Sequence, residues 1–242
     1  MMAGATREPR RVLLGLGTGD DLRHSIEAAA IFASAVKSEL LCILVQQEDL
    51  INLAGLPFAK VYGRGGLSST VTLHSIESHF SQLVRTAERA LAESCARTNV
   101  TWQILQPQGE TFRELSTVLE EGDIVVVNRH DIQISGLGLF GAARLFLDRA
   151  AAVVVPSSAA KLRDRIVVVS DGQGTAQAIA IARGIGLAMG IRVEIMRALE
   201  FLNFHGRASV VVAPMDIVAP LGEIEFLRKI AAAGATAVLV SE

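Results

Sequence analysis

The chain has no apolar run long enough to cross a bilayer. A spanning helix needs about 18 or more consecutive apolar residues, whereas the nearest candidate, residues 179–191 (IAIARGIGLAMGI), is shorter and is broken by Arg183 and three glycines. The opening MMAGATREPRR has no apolar segment behind its charges, so no secretory leader is expected and the expected location is cytoplasmic, with no direct membrane insertion. Charge of one sign is lacking too. Lys and Arg total 23 against 25 Asp and Glu, a net charge of −2, with no basic stripe and no aromatic-plus-arginine cluster. A nucleic-acid partner would leave that electrostatic footprint, so none is expected. Cysteine is scarce: Cys42 lies in a strand-like run and Cys95 in a helical one, which suits buried thiols better than a disulfide. The five histidines, His24, His74, His79, His130 and His205, form no grouping with cysteine or carboxylate that resembles a metal site. Ser25, Ser135 and Ser170 sit in no nucleophile-elbow pattern, so the expectation is no enzyme and no catalytic residue.

What the chain does have is apolar residues and a repeat. Half of its 242 residues are hydrophobic, only 20% are charged and the mean hydropathy is +0.41, which implies a large core and a substantial interface. Residues 10–20 (RRVLLGLGTGD) are echoed by 164–174 (DRIVVVSDGQG), 122–131 (GDIVVVNRHD) by 207–216 (RASVVVAPMD), and 146–155 (FLDRAAAVVV) by 226–240 (FLRKIAAAGATAVLV). Three echoes in one order mean that a single α/β unit occurs twice.

Within the first copy, apolar runs at 12–16, 40–45, 100–105, 123–127 and 152–155 read as buried strands. Helical spacing covers 20–36, 71–97, 111–119 and 141–150, and residues 46–69 are irregular. The second copy, after a small polar linker at 157–161, gives strand, helix, strand, strand, helix, strand over 165–169, 174–189, 192–196, 209–212, 224–233 and 237–240. It is shorter because only residues 197–207 separate its second and third strands. Alternation of this kind implies α/β architecture with parallel pairing: two tandem Rossmann-like, doubly wound sheets, the second truncated.

In this element order, and in the loop after the fourth strand, the chain resembles the universal stress protein family. The resemblance implies two domains, a complete one over 1–158 and a truncated one over 161–242, with a five-stranded parallel sheet and four helices in the complete copy. It also implies a nucleotide site. ATP-binding members carry an aspartate at the end of the first strand and, after the fourth, the pattern Gly-x2-Gly-x9-Gly-Ser/Thr. Here the spacing survives as Asn128, Arg129, His130, Asp131, nine residues, Gly141 and Ala142, but Asn128 and Asp131 replace glycines and Ala142 replaces the hydroxyl residue. Glycines let the backbone approach phosphate and aim N–H groups at it. A carboxylate at 131 near the phosphate path costs about 1 to 4 kcal/mol at contact. Gly17 stands where the first-strand aspartate belongs, whereas the second copy keeps that aspartate as Asp171 but has a loop after Val212 several residues too short.

Other glycine clusters are open to two readings each. LGLGTGDD (14–21) is either a phosphate-binding turn or a tight turn capped by Thr18, Asp20 or Asp21. SGLGLFG (135–141), including Gly138, is either an anion site at a helix start or a plain connection, and YGRGGLSS (62–69) either a mobile lid or docking loop or a disordered surface loop.

The resemblance therefore points to a regulatory or scaffolding protein in stress response, with a degenerate nucleotide site over Gly17, Asn128, His130, Asp131, Gly138, Gly141, Ala142 and Asp171. The alternative is a sensor that binds ATP or AMP through the first-half loop. No cofactor is expected on the first reading. Family dimers pair through fifth, edge strands, so the strands at 152–155 and 237–240 are expected to join the halves as an internal pseudo-dimer. The apolar helix at 175–189 and the missing elements of the second copy point to a homo-oligomer or a protein partner.

Overall fold

A computed structural model describes residues 11–17, 22–54, 56, 60–62, 68–70, 72–157, 165–171 and 175–241. The first half opens with β1 (Arg11–Leu16), α1 (Leu22–Ala35) and β2 (Glu39–Leu44). A short excursion follows, made of β3 (Gln46–Gln47), α2 (Glu48–Ala54) and the antiparallel pair β4 (Lys60–Tyr62) and β5 (Ser68–Thr70). Next come α3 (Leu73–Thr98), β6 (Trp102–Leu105), β7 (Gln108–Gly109), α4 (Thr111–Val118), β8 (Ile124–Val126), α5 (Arg129–Ser135), α6 (Gly138–Leu147) and β9 (Ala152–Val155). The second half contains β10 (Ile166–Val169), α7 (Ala176–Met189), β11 (Val193–Met196), α8 (Ala198–Leu202), β12 (Val210–Pro214), α9 (Met215–Val218), a single 3-10 turn (Ala219–Leu221), α10 (Glu223–Ala233) and β13 (Thr236–Val240).

Local chemistry explains the longest helix. Thr72 and Ser75 form a reciprocal cap: the Ser75 N–H donates to Thr72 Oγ1 and the Thr72 N–H to Ser75 Oγ, each at 3.1 Å. Asn99 ends the helix in the left-handed region, at φ 54°. Between them Ala87, Ala90, Leu91, Ser94 and Cys95 recur at three- and four-residue spacing and bury one stripe against the sheet and α1.

Nine strands form one mixed sheet in the order β11-β10-β12-β13-β9-β8-β1-β2-β6. All neighbours are parallel except β13 and β9, which run antiparallel with Val238 opposite Val154 and Leu239 opposite Val153. The two expected sheets are thus fused into one through the strands at 152–155 and 237–240. Both strands are buried, so each covers the other's open edge. Because this pair is antiparallel, the carboxyl ends of the remaining strands point to opposite edges in the two halves.

Strand side chains alternate between two apolar layers that run the length of the sheet. Leu13, Val125, Val167 and Val211 face α4, α6 and α10, while Val12, Leu14, Val168 and Val210 face α1, α3 and α7. Each fully buried Val or Leu is worth about 1.5–3 kcal/mol relative to exposure, so the layers dominate the fold. The apolar helix expected at 174–189, observed as α7, spends its small residues here: Ala178, Ile181, Ala182 and Ile185 are buried and α7 packs on α1 across the halves. At the other edge of the strands, Asp123 is fully buried and held by Arg11, whose Nη2 lies 3.0 Å from Oδ2 and also donates to the Val118 carbonyl at 2.7 Å.

Where sequence and structure differ, the cause is local. The stretch 46–69 contains α2 and two short ladders, and 197–207 contains α8. The helix expected at 141–150 starts earlier, at Gly138, and 129–135 forms a helix that periodicity does not reveal. Thr18, Asp20, Asp21, residues 63–67 of the loop at 62–69, and nearly all of the linker at 157–161 lie outside the described residues, while Tyr62 belongs to β4 and Ser68 and Ser69 to β5. Cys42 and Cys95 are buried free thiols. Burial pushes Cys95 up to about 11, and Cys42 is raised by burial and by Cys95.

Candidate functional site

Strand order reverses at β1 and β8: β2 and β6 lie to one side of this pair, β9 to the other. Doubly wound sheets bind ligands outside the carboxyl ends of strands at such a point. Here that region holds a cavity of about 690 Å³. Its lining includes Gln47 of β3, Glu48 and Asp49 at the start of α2, Glu110 just before α4 and Arg113 within it, Asp131 and Ser135 of α5, and Leu137 and Leu145 beside and within α6.

The loop that should cradle phosphate is a helix. Asn128 caps α5 by accepting the Asp131 N–H at 2.8 Å, so the N–H groups of this segment serve the helix and its cap instead of a ligand. Replacing glycine by Asn128 and Asp131 therefore does more than remove flexibility. It supplies an N-cap and a first-turn acid, both of which favour helix.

Asp131 also departs from its expected place in the phosphate path. Its carboxylate is turned to the end of β1, where it accepts the Gly17 N–H, and a side chain added at Gly17 would collide with it. Gly17 has no side chain and Asp131 takes that space, so the carboxylate missing from β1 is supplied from the other side of the switch point. Asp131 is 6% exposed and its Oδ2 has no hydrogen-bond partner among the described residues. Burial pushes it up to about 6, with the Gly17 N–H, His130 and Asn128 pulling the other way. His130 itself is exposed on α5.

At the start of α6 the anion position is filled by the protein. The Leu139 N–H donates to Glu223 Oε1 at 2.7 Å and the Phe140 N–H to Oε2 at 3.1 Å. Glu223 begins α10 in the second half, so one carboxylate caps a helix 84 residues away in sequence. Gly138 sits at φ 68°, a conformation that favours glycine, and a Cβ there would lie 2.7 Å from Glu223 Oε1 and push that carboxylate aside. Gly141 packs against Leu137, and Ala142 is fully buried in the core, where a hydroxyl would find apolar neighbours.

In the second half Asp171 is spent on structure, its Oδ1 accepting the Ala198 N–H of α8 at 3.3 Å. After β12 the chain turns directly into α9. The structure thus brings Gly17, Asn128 and Asp131 together. Gly138 and Gly141 serve the Glu223 contact and helix packing, and Asp171 belongs to the other half. Sequence reading missed Glu223, since nothing local links it to residue 139. It also missed α5, for which the Asn-x-x-Asp spacing was an available signal.

No family model matches the chain, and no curated protein matches it. A universal stress protein from Archaeoglobus fulgidus DSM 4304 is similar in structure, with a TM-score of 0.52 at 14% identity over 98% of each chain. A functionally unknown protein from Pseudomonas aeruginosa PAO1 gives a TM-score of 0.44 at 14% identity, covering 93% of this chain and 68% of its own. The fold is therefore universal-stress-protein-like: a mostly parallel sheet flanked by helices on both faces.

Among the described residues, no group of three His, Cys, Asp or Glu side chains is placed to hold a metal ion. None of the described helices is long and apolar enough to cross a membrane.

Proposed function

We propose that this chain is a cytoplasmic regulatory or scaffolding protein of the universal stress type, built from a complete domain over 1–158 and a truncated one over 161–242, and acting through a protein partner without nucleotide. The observation that carries this reading is the Glu223 carboxylate on the Leu139 and Phe140 N–H groups. A phosphate arriving at α6 must displace a carboxylate held by two charge-assisted bonds, each worth about 1.5–3 kcal/mol. Helix α5 and the acids Glu48, Asp49 and Glu110 add to the opposition. The partner surface fits the second half, where Leu187 on α7 and Leu199 on α8 are 88% and 74% exposed.

Calorimetric titration of the full chain with ATP, ADP and AMP tests this reading. No binding up to millimolar nucleotide is expected. Micromolar ATP binding by the wild type would overturn it and favour the alternative, an adenine-nucleotide sensor, for which the roomy cavity at the switch point speaks.

A further inference from the structure

The cavity beside α5 has a charge pattern opposite to that of a phosphate site. Four carboxylates, Glu48, Asp49, Glu110 and Asp131, meet a single guanidinium, Arg113. None of these side chains is in an ion pair among the described residues. The start of α4 also faces the cavity, but a helix N-terminus offsets only about half a charge. Acidic residues on a surface are common; Asp131 is different. It lines the cavity at 6% exposure with Oδ2 unpartnered among the described residues, and a buried polar atom left without a partner is costly. A cation in the cavity would supply the missing countercharge.

Two further features narrow the cation. The carboxylates are spread around the lining and do not converge as a metal site among the described residues, so the charge they suit is extended or multiple. Leu137 and Leu145 stand on the wall, each 47% exposed, and offer apolar contact to a hydrocarbon stem. The volume of about 690 Å³ lies within the usual range for small-molecule sites, about 300–1,000 Å³.

We infer that this cavity binds a small organic cation, an ammonium or guanidinium compound with an aliphatic stem, its charged head directed to Asp131 and the acids of α2 and its stem laid on Leu137 and Leu145. The inference stands on the cavity's own charge and does not depend on the Glu223 contact. Burial pushes Asp131 up to about 6 against the opposing pull of the Gly17 N–H, His130 and Asn128, and a neighbouring cation adds to that pull.

Agmatine and spermidine serve as probes in calorimetry and thermal-shift titrations of the full chain at constant ionic strength. Saturable binding is expected for at least one of them, weakened tenfold or more by Asp131→Asn and by the surface pair Glu48→Gln with Asp49→Asn. The pair is exposed in the first turn of α2, so it keeps the test alive should Asp131→Asn perturb folding. Absence of saturable binding by both probes overturns the inference, as does binding unchanged in both variants. A magnesium chloride control that reproduces the same shift at equal ionic strength overturns it as well, since screening alone would then account for the effect. The ATP titration is separate, so a failure of one reading is not confused with a failure of the other.

Discussion

Arg11 and Arg165 precede equivalent strand cores in the two halves, yet they hold different partners. Arg11 reaches across to Asp123, fully buried at the start of β8, and to the Val118 carbonyl. In the second half the strand register, Val12 beside Ile124 and Ile166 beside Val210, puts Ser209 at the place of Asp123, and Arg165 turns to Glu194 on β11 at 2.8 Å, with both side chains partly exposed. The strand ends diverge further. In the first half the carboxyl ends of β1 and β8 open into a cavity whose lining includes Asp131, held by the Gly17 N–H with its Oδ2 unbonded among the described residues. In the second half Asp171 closes onto α8, and α9 follows β12 without a loop. The repeated valine-rich strands set the sheet, and what each half can bind is decided by the few residues after each strand.

The seam between the halves is the largest lever on this comparison. Val154 is fully buried opposite Val238, and Val154→Lys would place an unpaired charge in both the seam and an apolar layer. A loss above about 4 kcal/mol is expected, read as a collapse of the urea midpoint and rapid proteolysis. If the substituted chain melts as the wild type does, the halves are held together by something other than β9 and β13.

Next in size is the arginine pair. Arg11→Ala leaves Asp123 buried without its countercharge, a loss of about 3–5 kcal/mol. Arg165→Ala removes a partly exposed bridge and is expected to cost about 1 kcal/mol or less. Equal losses in urea melts would show that the two arginines do the same job and would remove this distinction between the halves.

The strands and their alternation with helices were legible because β-rich runs of four to six apolar residues leave few alternatives. The site was legible only in part. Spacing identified Asn128, Asp131, Gly141 and Ala142 as a segment, but reading the residues as failed glycines concealed that Asn128 is also an N-cap and that its segment therefore folds as α5. Position 17 looked empty for want of an aspartate, whereas the carboxylate of Asp131 occupies that space from a different strand end. Glu223 was invisible for a physical reason: a capping carboxylate 84 residues from its helix leaves no local pattern.

Asp131→Asn is expected to act in the opposite direction from the larger substitutions. Folding raises this acid from 3.8 to about 6, so the folded chain holds its proton more tightly than the unfolded one. Stability then falls as pH rises from about 4 through 6, with a total of about 3 kcal/mol as the upper limit, and is level above that. Asparagine removes the titration while still accepting the Gly17 N–H, so the variant is expected to gain about 1–2 kcal/mol at pH 7 and little at pH 4. Thermal melts across this range check the sign. A variant less stable than the wild type at pH 7 would mean that the carboxylate is compensated in solution and that the first-half cleft is not under electrostatic stress.

The smallest expected effect belongs to the aspartate of the second half. Asp171 occupies the place that Gly17 holds in the first, but its Oδ1 makes one bond at 3.3 Å to the Ala198 N–H of a five-residue helix, and the side chain is exposed. Removing a single solvent-accessible cap costs about 0.5–1 kcal/mol. Asp171→Ala is therefore expected to lower the melting temperature by a few degrees, as about 1 kcal/mol does in a chain of this size, and to leave ligand titrations at the first-half cleft unchanged. That second outcome carries the weight. The antiparallel seam directs the two sets of strand ends to opposite edges, so a cap on one edge has no path to the carboxylates on the other. A change in agmatine or spermidine affinity in this variant would mean that the two halves communicate through the shared sheet and that Asp171 serves more than α8.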